Sequence, residues 1–203
     1  METSAPVSPA MQNYFKTKGY VPGGIIINCK LENLDIEAMP PFLRTLLVTD
    51  GTVTKSLEAY FWEPVVVENL GQRTIELSEE ITWLGMKRGD VALQREVLLK
   101  GARTGNVYVY AKSLLKLDLL PQQIREDLLA GKIGIGEILR ERGLETYREI
   151  MDIGREVDKS LAALIGETGG GELISRTYRV FSNHEASMLI TEKFPYRLYS
   201  KQF

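Results

Sequence analysis

Residues 91–114 read VALQREVLLKGARTGNVYVYAKSL, the pattern of two strands joined by a tight connection. The run 91–100 alternates apolar and polar side chains. Gly101 and Gly105 bracket a turn, and 106–114 returns with valine and tyrosine. β-Branched and aromatic residues at period two, punctuated by glycine, predict a hairpin. A hairpin requires antiparallel pairing, because parallel neighbours need a long crossover. The chain closes on the same device: 173–181 and 186–194 are strand-like and flank Ser182, Asn183, His184 and Glu185.

The remaining segments fit around these hairpins. A strand is expected over 62–68 with Pro64 near its start, a turn over 69–73, a short strand over 81–86 and another strand over 145–153. Residues 43–63, LRTLLVTDGTVTKSLEAYFWE, read as helix, Asp50-Gly51 turn and second helix, with Thr52 as its cap. Pro121 opens a helix that Gly131 closes, and the glycine-rich run 132–136 enters a helix ended by Gly143. Short helices are expected over 11–18 and 158–165, with a turn at Pro22, Gly23 and Gly24. Residues 1–10 read as a flexible N-terminus and 11–203 as a single domain. Hairpins outnumber helical crossovers. The expected class is therefore α+β, one mostly antiparallel sheet with helices packed on one side.

Composition narrows the function classes. The chain has 203 residues and a net charge of -2, so no overall basic field favours nucleic acid or a membrane surface. One cysteine, Cys29, excludes an intrachain disulfide, and one histidine, His184, argues against a multi-histidine metal centre. Cys29 follows Ile25, Ile26 and Ile27 and reads as a small core residue rather than a nucleophile. No apolar run has the length of a membrane span, and METSAPVSPAMQ lacks the regions of a signal peptide. A cytoplasmic protein is expected, with no metal, no nucleic-acid partner and no membrane partner.

Two charges fall on apolar strand faces. Val91, Leu93, Arg95, Val97 and Leu99 share one face of their strand, and Ala186, Met188, Ile190, Glu192 and Phe194 share one face of theirs. An unpaired charge in an apolar interior is costly, so Arg95 and Glu192 each need a partner. They either pair with each other or jointly face a polar ligand, Arg95 gripping a carboxylate and Glu192 engaging a hydroxyl or moving a proton. Arg176 shares a face with Ile174, Tyr178 and Val180 and is a further inward cation. Tyr108 and Tyr110 share a face and are expected to pack, while His184 is expected in solvent at the hairpin tip. The helix start at Thr52 and the glycine-flanked entry at 132–136 both present backbone N–H groups suited to an anion. Gly169, Gly170 and Gly171 suggest a hinge or lid.

Taken in order, these segments resemble the chorismate lyase family, also called chorismate pyruvate-lyase or 4-hydroxybenzoate synthase. Asp50-Gly51-Thr52-Val53-Thr54-Lys55 with Glu58 resembles its acidic-turn motif, and Leu93-Gln94-Arg95-Glu96-Val97-Leu98-Leu99 its arginine strand. Met151-Asp152-Ile153-Gly154-Arg155 resembles the strand before the last hairpin, and Met188-Leu189-Ile190-Thr191-Glu192-Lys193-Phe194-Pro195 the terminal glutamate motif. The resemblance implies a substrate enclosed between an antiparallel sheet and its loops, loss of pyruvate from chorismate to leave 4-hydroxybenzoate, and no metal or organic cofactor. It implies that Arg95 binds carboxylate, that Glu192 meets the ring hydroxyl, and that backbone at Val53 and Ile135 contacts the ligand, with Thr52 and Gly136 beside them. Asp50 and Lys55 then shape the turn rather than react. Effector domains of some bacterial transcription regulators share this fold, so a non-catalytic small-molecule sensor is the alternative.

Overall fold

The computed structural model describes residues 24–131, 133–167 and 170–200. The expected flexible segment 1–10 and helix 11–18 lie outside the described residues, as do Lys132 and Gly169. A two-stranded ribbon, β1 (Ile25–Ile27) with β2 (Asn33–Asp35), opens the described chain. Six longer strands follow: β3 (Val65–Glu76), β4 (Val91–Gly101), β5 (Val107–Leu115), β6 (Tyr147–Val157), β7 (Glu172–Ser182) and β8 (Glu185–Pro195). They form one sheet in the order β3-β4-β5-β8-β7-β6, with every neighbouring pair antiparallel. Each half is a meander, and β5 and β8 join the halves at the centre. The expected α+β class therefore holds.

The helices are α1 (Pro41–Val48), α2 (Val53–Phe61), α3 (Gln122–Ala130), α4 (Ile135–Glu141), α5 (Lys159–Leu164) and α6 (Tyr196–Ser200). In α1 a proline in the first turn sets the entry, and Leu43, Leu46 and Leu47 form a stripe with no exposure. With Leu57 of α2 they pack on Leu99, Val109, Ile174 and Phe194 of the sheet. A fully buried leucine contributes about 1.5–3 kcal/mol. Ile124 and Leu128 of α3 and Ile138 and Leu139 of α4 pack on Leu93, Leu115, Val180, Met188 and Ile190. The two clusters lie side by side on one face of the sheet. Short α5 packs on the other face, where Leu161 and Ile165 meet Leu98, Tyr110 and Leu173.

Several local expectations change. The turn expected over 69–73 is strand: β3 runs through it, and the register shift between Asn69 and Gly71 absorbs Leu70 as a bulge. Asn-Leu-Gly thus bends a strand instead of ending it. Residues 81–86 form a 3-10 turn over Thr82–Leu84 closed by a single Ile81–Met86 bridge. Tyr108 and Tyr110 belong to different clusters, because the register shift at Leu99/Lys100 interrupts the alternation of β5. The described residues of the 167–171 loop join α5 to β7, and Gly171 packs on Asp158 and Ala162. That places them with α5 on the far face, so they form no lid over the helical face. His184 is exposed, at positive φ beside Asn183, as a two-residue hairpin turn requires.

Cys29 is half-buried rather than core. Its thiol donates to Asp152 Oδ2 at 2.9 Å. Burial, with this acidic neighbour, pushes the thiol up to about 12. A thiol held protonated at neutral pH is a poor nucleophile.

Candidate functional site

A cavity opens between the sheet and the N-terminal ends of α2 and α4, and all six residues expected at a site line it: Thr52, Val53, Arg95, Ile135, Gly136 and Glu192. Its floor is made by β5, whose inward Ala111 and Ser113 are small enough to leave room. Its volume is about 80 Å³, below the roughly 300–1,000 Å³ of ordinary small-molecule pockets, so a bound ring has to widen it. Two hollows elsewhere are larger, about 440 and 560 Å³, but neither is lined by a buried charge. Convergent charge, more than room, marks the first cavity.

Of the two alternatives for Arg95 and Glu192, the mutual ion pair does not form. The two residues lie two strands and two residues apart, since Arg95 faces Ser113 while Glu192 faces Ala111. Ordinary strand spacings put their Cα atoms roughly 12 Å apart. Glu192 pairs instead with its direct neighbour on β7, Arg176, whose Nε donates to Oε2 at 2.7 Å. Arg176 Nη1 also donates to the carbonyls of Leu46 and Thr49, the latter at 2.8 Å, and so closes the C-terminal end of α1. The Tyr178 hydroxyl donates to Glu192 Oε1 at 3.1 Å. Burial lowers the Arg176 pKa, but Glu192 and Tyr178 outweigh it and the net shift is upward. Burial and Glu192 both hold the Tyr178 hydroxyl protonated, as a donor must be.

Arg95 is only 1% exposed, and its surroundings are different. Nη2 donates to the carbonyls of Gly131 and Ile133, at 3.3 and 2.7 Å. Nε and Nη1 have no partner among the described residues. No carboxylate offsets the burial, which lowers the Arg95 pKa. A buried cation with two donors idle among the described residues suits an anion such as a carboxylate. The loop that it holds sits close to β3. Gly131 has φ +69, a conformation that glycine adopts without the strain another side chain would bring.

Two helix starts face each other across the cavity. Thr52 is the N-terminal cap residue of α2, yet its hydroxyl makes no capping hydrogen bond. It turns toward Gly136, where an added Cβ would lie 3.6 Å from Thr52 Cγ2. The first N–H groups of α2 have no acceptor within the helix, so those of Val53 and Thr54 remain for a ligand. The turn before α2 is shaped by Thr49, whose hydroxyl accepts from Gly51 N at 3.2 Å, rather than by the Asp50 side chain. Lys55 pairs with Glu58 at 2.7 Å, away from the cavity.

One charged lining residue escaped sequence reasoning. Arg148 of β6 borders the cavity, and its Nη1 donates to the Asp50 carbonyl. Simple alternation groups Arg148 with Asp152, on a polar face. A register shift between Ile150 and Asp152 changes the phase, so that Arg148 faces Val180 and shares the inner face with it. The inward Val180 on β7 is the signal that could have revealed it, had the strand pairing been known.

Comparison with known proteins gives the family. The family described as "Chorismate pyruvate-lyase Rv2949c-like" matches residues 47–202, which include every residue named at the cavity. A Mycobacterium leprae protein named chorismate pyruvate-lyase is 31% identical over 172 residues, spanning 82% of this chain and 80% of its own. A Mycobacterium tuberculosis protein of the same name is 29% identical over 170 residues, 82% of this chain and 85% of its own. Among solved structures, the effector domain of PhnF from Mycobacterium smegmatis superposes with a TM-score of 0.56 at 17% identity, over 72% of this chain and 89% of that one. This last likeness is one of fold. The match over residues 47–202 and the relatives at about this identity carry the assignment, and the chain belongs to the Rv2949c-like chorismate pyruvate-lyase family.

Proposed function

We propose that this chain is a chorismate pyruvate-lyase, converting chorismate to 4-hydroxybenzoate and pyruvate. The observation that carries the reading is the Arg95 guanidinium, buried with Nε and Nη1 unpartnered among the described residues, in the same cavity as Glu192. Arg95 takes the ring carboxylate through its idle donors. Glu192, itself held by Arg176 and Tyr178, meets the ring hydroxyl. Backbone at Val53 and Ile135, beside Thr52 and Gly136, faces the enolpyruvyl group.

In the reaction the bond from ring carbon to ether oxygen breaks, and the proton on the hydroxyl-bearing carbon is lost. The leaving enolpyruvate gains a proton and becomes pyruvate. Aromatisation supplies the driving force. The protein's task is to hold the ether in one geometry and to assist the proton's departure, where fixed orientation counts most. Glu192 is the group we assign to that assistance. A carboxylate already anchored by two donors is preorganised and need not reorient during reaction.

The test is direct. Purified protein is mixed with chorismate, and both pyruvate and 4-hydroxybenzoate are quantified. Equal amounts of the two, with turnover beyond one equivalent, are expected. If chorismate raises the melting temperature and neither product forms, the chain is a ligand-sensing domain on the same fold.

A further inference from the structure

We infer that Arg148 is the second carboxylate clamp of this cavity, taking the side-chain carboxylate that leaves with pyruvate. The inference rests on the lyase reading and deepens it. Its basis is charge arithmetic on the inner face of the sheet. Arg95 and Arg148 line the cavity, Arg176 stands behind Glu192, and Glu192 is the only carboxylate among the lining residues described. Arg176 is already paired with Glu192 at 2.7 Å. Two cations remain, and chorismate carries two carboxylates.

Position separates their roles. Arg95 stands on β4 and Arg148 on β6, with three strands between them, so they flank the cavity from opposite sides. Arg148 reaches the edge where α2 and α4 begin. Its Nη1 touches the Asp50 carbonyl, and its Nη2 lies 3.9 Å from the position of a Cβ on Gly136. A carboxylate lodged there would meet the guanidinium and the N–H groups that open α2 together. The Asp50 carbonyl is a neutral acceptor, so a carboxylate can replace it as the stronger partner. Arg148 is half-buried. Its guanidinium carbon also sits 6.0 Å from the centroid of Tyr178, the residue that donates to Glu192.

The products supply the control. 4-Hydroxybenzoate keeps the ring carboxylate and lacks the side-chain one. Arg148→Gln should therefore raise KM for chorismate on the order of tenfold to a hundredfold, the usual loss for a charge-assisted hydrogen bond. It should leave the Kd of 4-hydroxybenzoate within about twofold. Arg148→Lys should recover part of the KM through its charge. Circular dichroism and melting temperature confirm that each variant is folded. An unchanged KM overturns the inference, and so does an equal loss of chorismate and 4-hydroxybenzoate affinity, which would mean that Arg148 only braces the Asp50 turn. If the wild-type protein releases no pyruvate, the lyase reading falls. The same two titrations, chorismate against 4-hydroxybenzoate, still decide the clamp by binding alone.

Discussion

Two arginines occupy matching places in the two halves of the sheet and are used in opposite ways. Arg95 lies on β4, beside central β5, and Arg176 lies on β7, beside central β8. Both are 1% exposed. Each donates to backbone carbonyls where one helix gives way to the next: Arg95 to Gly131 and Ile133 between α3 and α4, Arg176 to Leu46 and Thr49 between α1 and α2. Arg176 also holds a carboxylate, and Arg95 does not. Burial drives both pKa values down, and only at Arg176 does a carboxylate reverse the shift. The difference separates scaffold from site. A buried charge paired with a carboxylate fixes geometry, even with Arg176 Nη2 left unpartnered among the described residues, whereas an unpaired one is stabilised by whatever anion arrives.

The largest effect is expected at the paired arginine. Arg176→Met strands Glu192 in the interior and releases the carbonyls at the end of α1. Breaking one side of a buried pair costs about 3–5 kcal/mol. Urea denaturation should show it as a lower midpoint with an unchanged slope. A loss under about 1 kcal/mol would mean that the pair is structurally idle.

A smaller effect sharpens the same contrast with the sign of charge reversed. Glu63 is a buried carboxylate with full partners: it accepts from Arg103 N, Thr104 N, the Thr104 hydroxyl and the Tyr108 hydroxyl. The Tyr108 hydrogen bond, with these others, outweighs burial and lowers the Glu63 pKa from 4.5 to about 2. A depressed carboxylate stabilises the fold above its unfolded value and loses that contribution as pH falls through the folded one. Glu63→Gln should therefore flatten the fall in melting temperature between pH 4.5 and about 2. An acid limb of unchanged steepness would show that the loop after β4 is held by other contacts.

Much of this was legible in the sequence because it depends on local pattern. Both long hairpins, the α2 start at Thr52 and the inward direction of Arg95, Arg176 and Glu192 follow from period-two alternation and turn chemistry. The partner of Glu192 was not legible. It depends on which strands are neighbours, and alternation says which face a residue takes without saying what lies beside it. The central β5–β8 pairing separates Arg95 from Glu192, while the β7–β8 hairpin places Arg176 opposite it. Arg148 and the continuation of β3 were hidden by bulges, at Met151 and Leu70, because one extra residue reverses the face of everything beyond it. The turn at Asp50 was legible as a turn but not in its bonding, since the Thr49 hydroxyl took the role that an aspartate usually plays.

The central claim is that Arg95 serves the ligand and not the fold, and Arg95→Met tests it most directly. The variant loses hydrogen bonds to Gly131 and Ile133 but also sheds an uncompensated buried charge, so its stability should stay within about 1 kcal/mol of wild type. Titration with 4-hydroxybenzoate, followed by calorimetry, should show affinity lower by at least about tenfold, and pyruvate release from chorismate should fall about a hundredfold or more. A variant that binds 4-hydroxybenzoate as wild type does, or that unfolds as readily as Arg176→Met, would contradict the account.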